Sequence, residues 1–115
     1  MQYMALIYSA PETDPTYGTP EFGAMMSGYM AFGAELKAKG GWISGEALKP
    51  VDTATSVRVR GGKTETMDGP FAETKEHLSG FYVFEAADLD TAIKIAAMIP
   101  TAAWGTIEVR PVMTW

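Results

Sequence analysis

The chain contains no cysteine. Disulfides, thiolate nucleophiles and Cys-ligated zinc are therefore excluded, and a cytoplasmic location is expected. There is one histidine, His77, so a metal centre built on paired histidines is excluded too. Positive charge is scarce: nine Lys and Arg against fourteen Asp and Glu give −5 at pH 7 and a pI near 4.7. Binding to phosphate backbones needs a basic face, so nucleic acid is not an expected partner. No apolar run approaches the roughly 18 residues of a membrane span. The opening MQYMALIYSA has no basic leader and is too short for a signal peptide; it reads as a first strand. Repeats and low-complexity segments are lacking.

What remains is an ordinary globular composition, 47% hydrophobic and 20% charged, in 115 residues. That length supports one core and one domain, 1–115. Eight Met and three Trp point to a core or an interface that packs large, soft side chains.

Residues 2–8 read as an inner strand and 9–19, with two Pro and a Gly, as a loop. Thr19-Pro20-Glu21 has the form of a helix start, and Phe22, Met25, Tyr29, Phe32 and Leu36 follow as one apolar stripe to Gly40-Gly41. Trp42–Leu48 is a short strand broken by Gly45. Ser56–Arg60 and Lys63–Met67 flank Gly61-Gly62 as a two-residue hairpin, a register that sets Arg58 opposite Glu65. Gly80–Glu85 is a strand. Asp88 caps a second helix with Leu89, Ala92, Ile93, Ala96 and Ala97 as its apolar face, and Pro100 stops it. Thr106–Met113 closes the chain as a strand whose Pro111 suits an edge or a bulge.

This order predicts an α+β ferredoxin-like sandwich: one antiparallel sheet, two helices on one face, and an inserted β-hairpin. Two helices cover only one face of a sheet. The simplest partner for the other face is a second copy, giving a homodimer with a barrel-like interior, a dimeric α+β barrel.

The densest stretch is DGPFAETKEHLSGFY, residues 68–82. Asp68 is placed to cap a turn in which Gly69 takes a positive φ, and Pro70 stiffens the corner. An extended path beyond it puts Phe71, Glu73, Lys75 and His77 on one side, whereas a helical turn groups Glu73 with Lys75, Glu76 and His77. Converging ionisable groups beside a rigid corner are where acid–base chemistry arises. Three readings follow: a structural corner with Phe71 packed and Glu73 paired to Lys75, a small-molecule pocket, or a divalent site on Asp68, Glu73, Glu76 and His77. The carboxylate spacing matches no known metal site, so no metal is expected.

DGPFAETKEHLSGFYVFE (68–85) closely resembles the signature of the DGPF-domain branch of the YCII-related family. YMALIYS (3–9), ATSVRVRGGKTETMDGPFAETKE (54–76), DLDTAIKIAAMIP (88–100) and GTIEVRPVM (105–113) extend the resemblance over essentially the whole chain. Ser79, Gly61 and Trp104 depart from the usual residues. The resemblance implies a dimeric ferredoxin-like fold similar to muconolactone isomerase. It leaves the activity open, with an enzymatic role supposed from a polar cleft and a link to extracytoplasmic-function sigma factors.

The candidate catalytic residues are Asp68, Glu73 and Glu76, acting as carboxylate acids or bases. Candidate ligand-binding residues are Tyr8, Glu46, Phe71, Lys75, His77 and Arg110. Tyr8 ends the first strand just before loop 9–19, itself placed to act as a lid. Arg110 is expected to hold a carboxylate of Glu46, Glu73 or a ligand. No nucleophile triad, phosphate loop, heme or flavin motif is present, so no cofactor is expected. The leading reading is a homodimer with a polar cleft for a small organic molecule. The alternative is a non-catalytic protein-interaction module tied to sigma-factor regulation.

Overall fold

Asp88 and Thr19 set the two helices of the chain, each by accepting a backbone N–H in the first turn. The computed structural model describes all 115 residues. Its elements are β1 (Gln2–Ser9), α1 (Pro20–Ala38), β2 (Trp42–Ala47), β3 (Thr55–Arg60), β4 (Lys63–Asp68), β5 (His77–Glu85), α2 (Leu89–Ala97) and β6 (Thr106–Pro111). Short 3₁₀ turns lie at Val51–Thr53 and Pro100–Ala103. Thr19 Oγ1 accepts from the Phe22 amide at 3.3 Å, and Asp88 Oδ1 from the Thr91 amide at 2.8 Å. At the other end of α1, Lys39 pairs with Glu35 and the Lys37 ammonium sits 4.7 Å over the Trp42 ring.

Four strands form one antiparallel sheet in the order β2-β5-β1-β6. With two helices on one face, that order is compatible with a ferredoxin-like α+β fold. β1 alternates strictly: Tyr3, Ala5, Ile7 and Ser9 are buried, the residues between them half-buried. The pairing carries this alternation across the sheet. Beneath the helices lie the rows Trp42–Phe84–Tyr3–Pro111 and Gly45–Tyr82–Ala5–Val109. Phe32 and Leu36 of α1 and Ala92 of α2 close the core on them, with Phe84 fully buried. Burying a residue of that size relative to exposing it contributes about 1.5–3 kcal/mol.

The opposite face has no helix. Its rows are Glu46–Phe81–Leu6–Glu108 and Ser44–Val83–Met4–Arg110. Each has an apolar centre and a polar edge.

The face of α2 differs from the expected stripe. Ala92, Ala96 and, just beyond the helix, Ile99 are buried and Ile95 packs on the core, while Leu89 and Ile93 are half in solvent. Small alanines let the helix approach the sheet closely, which rotates the larger residues outward. The last strand is an edge strand, as Pro111 requires, and ends there.

The hairpin forms as expected, with Arg60 opposite Lys63 and φ of +57° and +77° at Gly61 and Gly62, the signs of a type I′ turn. Arg58 stands opposite Glu65 in the ladder. β3 and β4 pair only with each other, and Val57 and Val59 are 60% exposed. This arm makes the chain extended. Its radius of gyration is 16.0 Å, against about 13 Å for a compact domain of this length. Its accessible surface is 8017 Å², about 1,900 Å² more than a typical monomer of its mass exposes. No helix is long and apolar enough to cross a membrane.

Candidate functional site

One end of the uncovered face carries a cleft. Gly105 makes it possible: a Cβ there would collide with the carbonyl of Tyr8. With no side chain, β6 closes onto β1 and sets Thr106 directly opposite Tyr8. The segment 69–76 reaches the same place from the hairpin. It is neither an extended strand nor a helix, so neither path expected from the sequence is taken. Gly69 adopts φ +87° as expected, and its N–H and carbonyl tie the corner to β3 through Ala54 and Ser56. No cis peptide is present.

The cleft, about 740 Å³, is lined by Tyr8, Thr74, Lys75, Glu76, Thr106, Ile107 and Glu108. It is a shallow hollow, largely open to solvent. Glu76 is its best-anchored acid. Thr106 Oγ1 donates to Glu76 Oε1 at 2.7 Å, and Thr74 Oγ1 donates to the Glu76 carbonyl at 2.5 Å. The first contact engages one carboxylate oxygen, and the second ties down the backbone beneath it. Glu108 lies on the adjoining edge, paired with Arg110 two residues on. That hydrogen bond, with the Glu108 charge, pushes the exposed Arg110 guanidinium above its ordinary pKa.

Three of the expected residues, Tyr8, Lys75 and Glu76, thus meet in one cleft. The others lie outside its lining. His77 opens β5 opposite Ser9, half-buried. Glu46 stands on the far edge strand, three strand spacings from Glu108, or about 14 Å. Arg110 therefore takes Glu108 rather than Glu46 or Glu73. Asp68 and Glu73 are exposed outside the cleft lining, and the Asp68 carboxylate accepts no hydrogen bond. Phe71 is 73% exposed rather than packed, and Glu73 forms no ion pair with Lys75. No three His, Asp or Glu side chains come together in a group that could hold a metal ion.

Two features were not legible beforehand. Thr106 and Glu108 enter the site through the β1–β6 register, a long-range pairing that no local pattern encodes. Asp14, in loop 10–19, accepts from Ser9 Oγ at 2.9 Å and from Trp104 Nε1 at 3.0 Å. It pins the loop expected to act as a lid. A second hollow of about 510 Å³ lies beside that loop, between Thr13, Glu21, Met25 and Trp104.

The profile of the YCII-related domain matches residues 1–115. The chain belongs to the YCII-related family. An uncharacterised protein of Rhizobium meliloti (strain 1021) is similar to this YCII-related chain, 47% identical over 66 residues. The match covers 56% of this chain and 53% of that protein, so the chain spans about half the length of the relative it matches.

Proposed function

We propose that this YCII-related chain is a cytoplasmic homodimer of the DGPF branch that binds a small polar organic molecule in the cleft beside Glu76. The observation that carries the reading is the Thr106–Glu76 hydrogen bond at 2.7 Å. It fixes one carboxylate oxygen and leaves the other, Oε2, to a ligand. Lys75 supplies a cation beside it, Glu108 a second acid, and Tyr8 an aromatic wall. A ligand with a hydrogen-bond donor and a carbonyl or carboxylate matches that set. With a ligand bound, Glu76 accepts or returns a proton as a general base or acid, and Lys75 stabilises developing negative charge. Asp68, Glu73, Phe71, His77 and Arg110 form the approach, whereas Glu46, on the far edge strand, stands apart from it.

The homodimer rests on the uncovered rows through Phe81–Leu6 and Val83–Met4 and on the excess surface. If each copy buried about 1,900 Å², the total would fall in the range of permanent dimers. The DGPF branch rests on the run from Asp68 to Glu76, and the cytoplasmic location on the lack of cysteine.

The test is a screen of small polar acids and carbonyl compounds by amide NMR on uniformly labelled protein. Binding that shifts Tyr8, Glu76 and Thr106 together, and is weakened by Glu76→Gln, supports the reading. Shifts confined to Phe71, Leu48 and Met67, seen only with protein partners, would favour the interaction module, which the exposure of Phe71 recommends.

A further inference from the structure

The hairpin arm is the least satisfied part of the chain. An isolated two-stranded hairpin is marginal in water, and this one has no layer against either face. One face presents Val57, Val59, Thr64 and Thr66. At its tip Arg60 stands directly opposite Lys63, a like-charge cross-strand pair that weakens the hairpin by itself. The only hydrogen bond the Arg60 side chain makes is to the carbonyl of Val59. Residues 55–68 carry Arg58, Arg60 and Lys63 against Glu65 and Asp68, with no acid from 57 to 64 at the tip, leaving six cations against twelve acids, or −6, on the rest of the chain. A basic tip on an acidic body is complementary to the body of a second copy.

The arm springs from the same end of the sheet as the cleft, where Ser79 accepts from Leu48 and His77 pairs with Ser9. Yet no residue from 55 to 68 lines the chain's own cleft. We propose that the arm reaches across the two-fold axis and closes the cleft of the second copy, bringing Arg60 and Lys63 to the partner's acids at positions 76 and 108. The site is then shared: one chain supplies the acids and aromatic wall, the other the basic lid. A bound carboxylate meets cations from both chains. This deepens the homodimeric reading above and rests on it.

The absence of native cysteine gives a clean test. Thr64→Cys in one chain and Lys75→Cys in a differently tagged chain are co-refolded and treated with a short bismaleimide. The expected result is a covalent mixed dimer in much higher yield than with Lys39→Cys, a helix-layer control. Dimeric mass without mixed cross-linking above the control overturns the arm and leaves the dimer standing, whereas monomeric mass overturns both. In parallel, Arg60→Glu with Lys63→Glu is expected to weaken self-association about tenfold at low salt, as reversed interface charges do. Unchanged, salt-independent association would overturn the proposal.

Discussion

The hydroxyl of Thr106 donates to a carboxylate oxygen of Glu76 at 2.7 Å, joining the edge strand β6 to the segment that follows the hairpin. It links two halves of the cleft that sequence separates by thirty residues. A hydrogen bond to a charged group contributes about 1.5–3 kcal/mol when buried, and this one is exposed. Thr106→Val is therefore expected to cost about 0.5–1 kcal/mol in urea denaturation. The same change in a Glu76→Gln background is expected to cost less. Equal costs in both backgrounds would show that the two side chains do not interact.

Asp14 makes a comparable tie on the other side of β1, bonding both Ser9 and Trp104. Trp104→Phe keeps an aromatic ring, smaller than the indole, and removes the donor. The expected loss is about 1 kcal/mol, together with faster amide exchange across residues 10–18. Exchange unchanged in that loop would mean that Asp14 does not hold it.

Much of this fold was legible because its signals are local. Thr19-Pro20 and Asp88 start helices by capping chemistry confined to one turn. Gly61-Gly62 dictates its hairpin through two positive φ angles. Phe32 and Leu36 lie on the buried stripe as their spacing requires. The candidate site was legible only in part. Glu76 and Lys75 stood in a recognisable run, but which of its acids faces a cleft depends on where β6 pairs. Phe71 looked like a core residue by type, yet it follows a corner with no layer above it. The strand β5 starts at His77, three residues before the expected Gly80, because Tyr8 and Ser9 extend the ladder past a bulge.

Asp88 and Tyr82 each contribute to the pH dependence of stability. Hydrogen bonds from Thr91 hold the Asp88 carboxyl below its ordinary pKa. A depressed acid stabilises above its unfolded value, near 4, and that contribution is lost as pH falls through the folded value. Burial, with a smaller push from Tyr29, raises the Tyr82 phenol to about 12. A raised phenol stabilises fully below its unfolded value, near 10, and that contribution is lost as pH rises towards 12. Asp88→Ala is expected to lower Tm at neutral pH and flatten the acid limb of the curve. Tyr82→Phe is expected to flatten the alkaline limb alone. Urea midpoints across both limbs check the assignment, and a Tyr82→Phe curve parallel to wild type would refute it.

The central claim is that the rows Glu46–Phe81–Leu6–Glu108 and Ser44–Val83–Met4–Arg110 are covered by a second copy. Sedimentation equilibrium at micromolar concentration tests it most directly. The account predicts a single species of twice the 12.4 kDa chain mass, shifted towards monomer by Leu6→Glu or Phe81→Glu. A stable species at 12.4 kDa would contradict it.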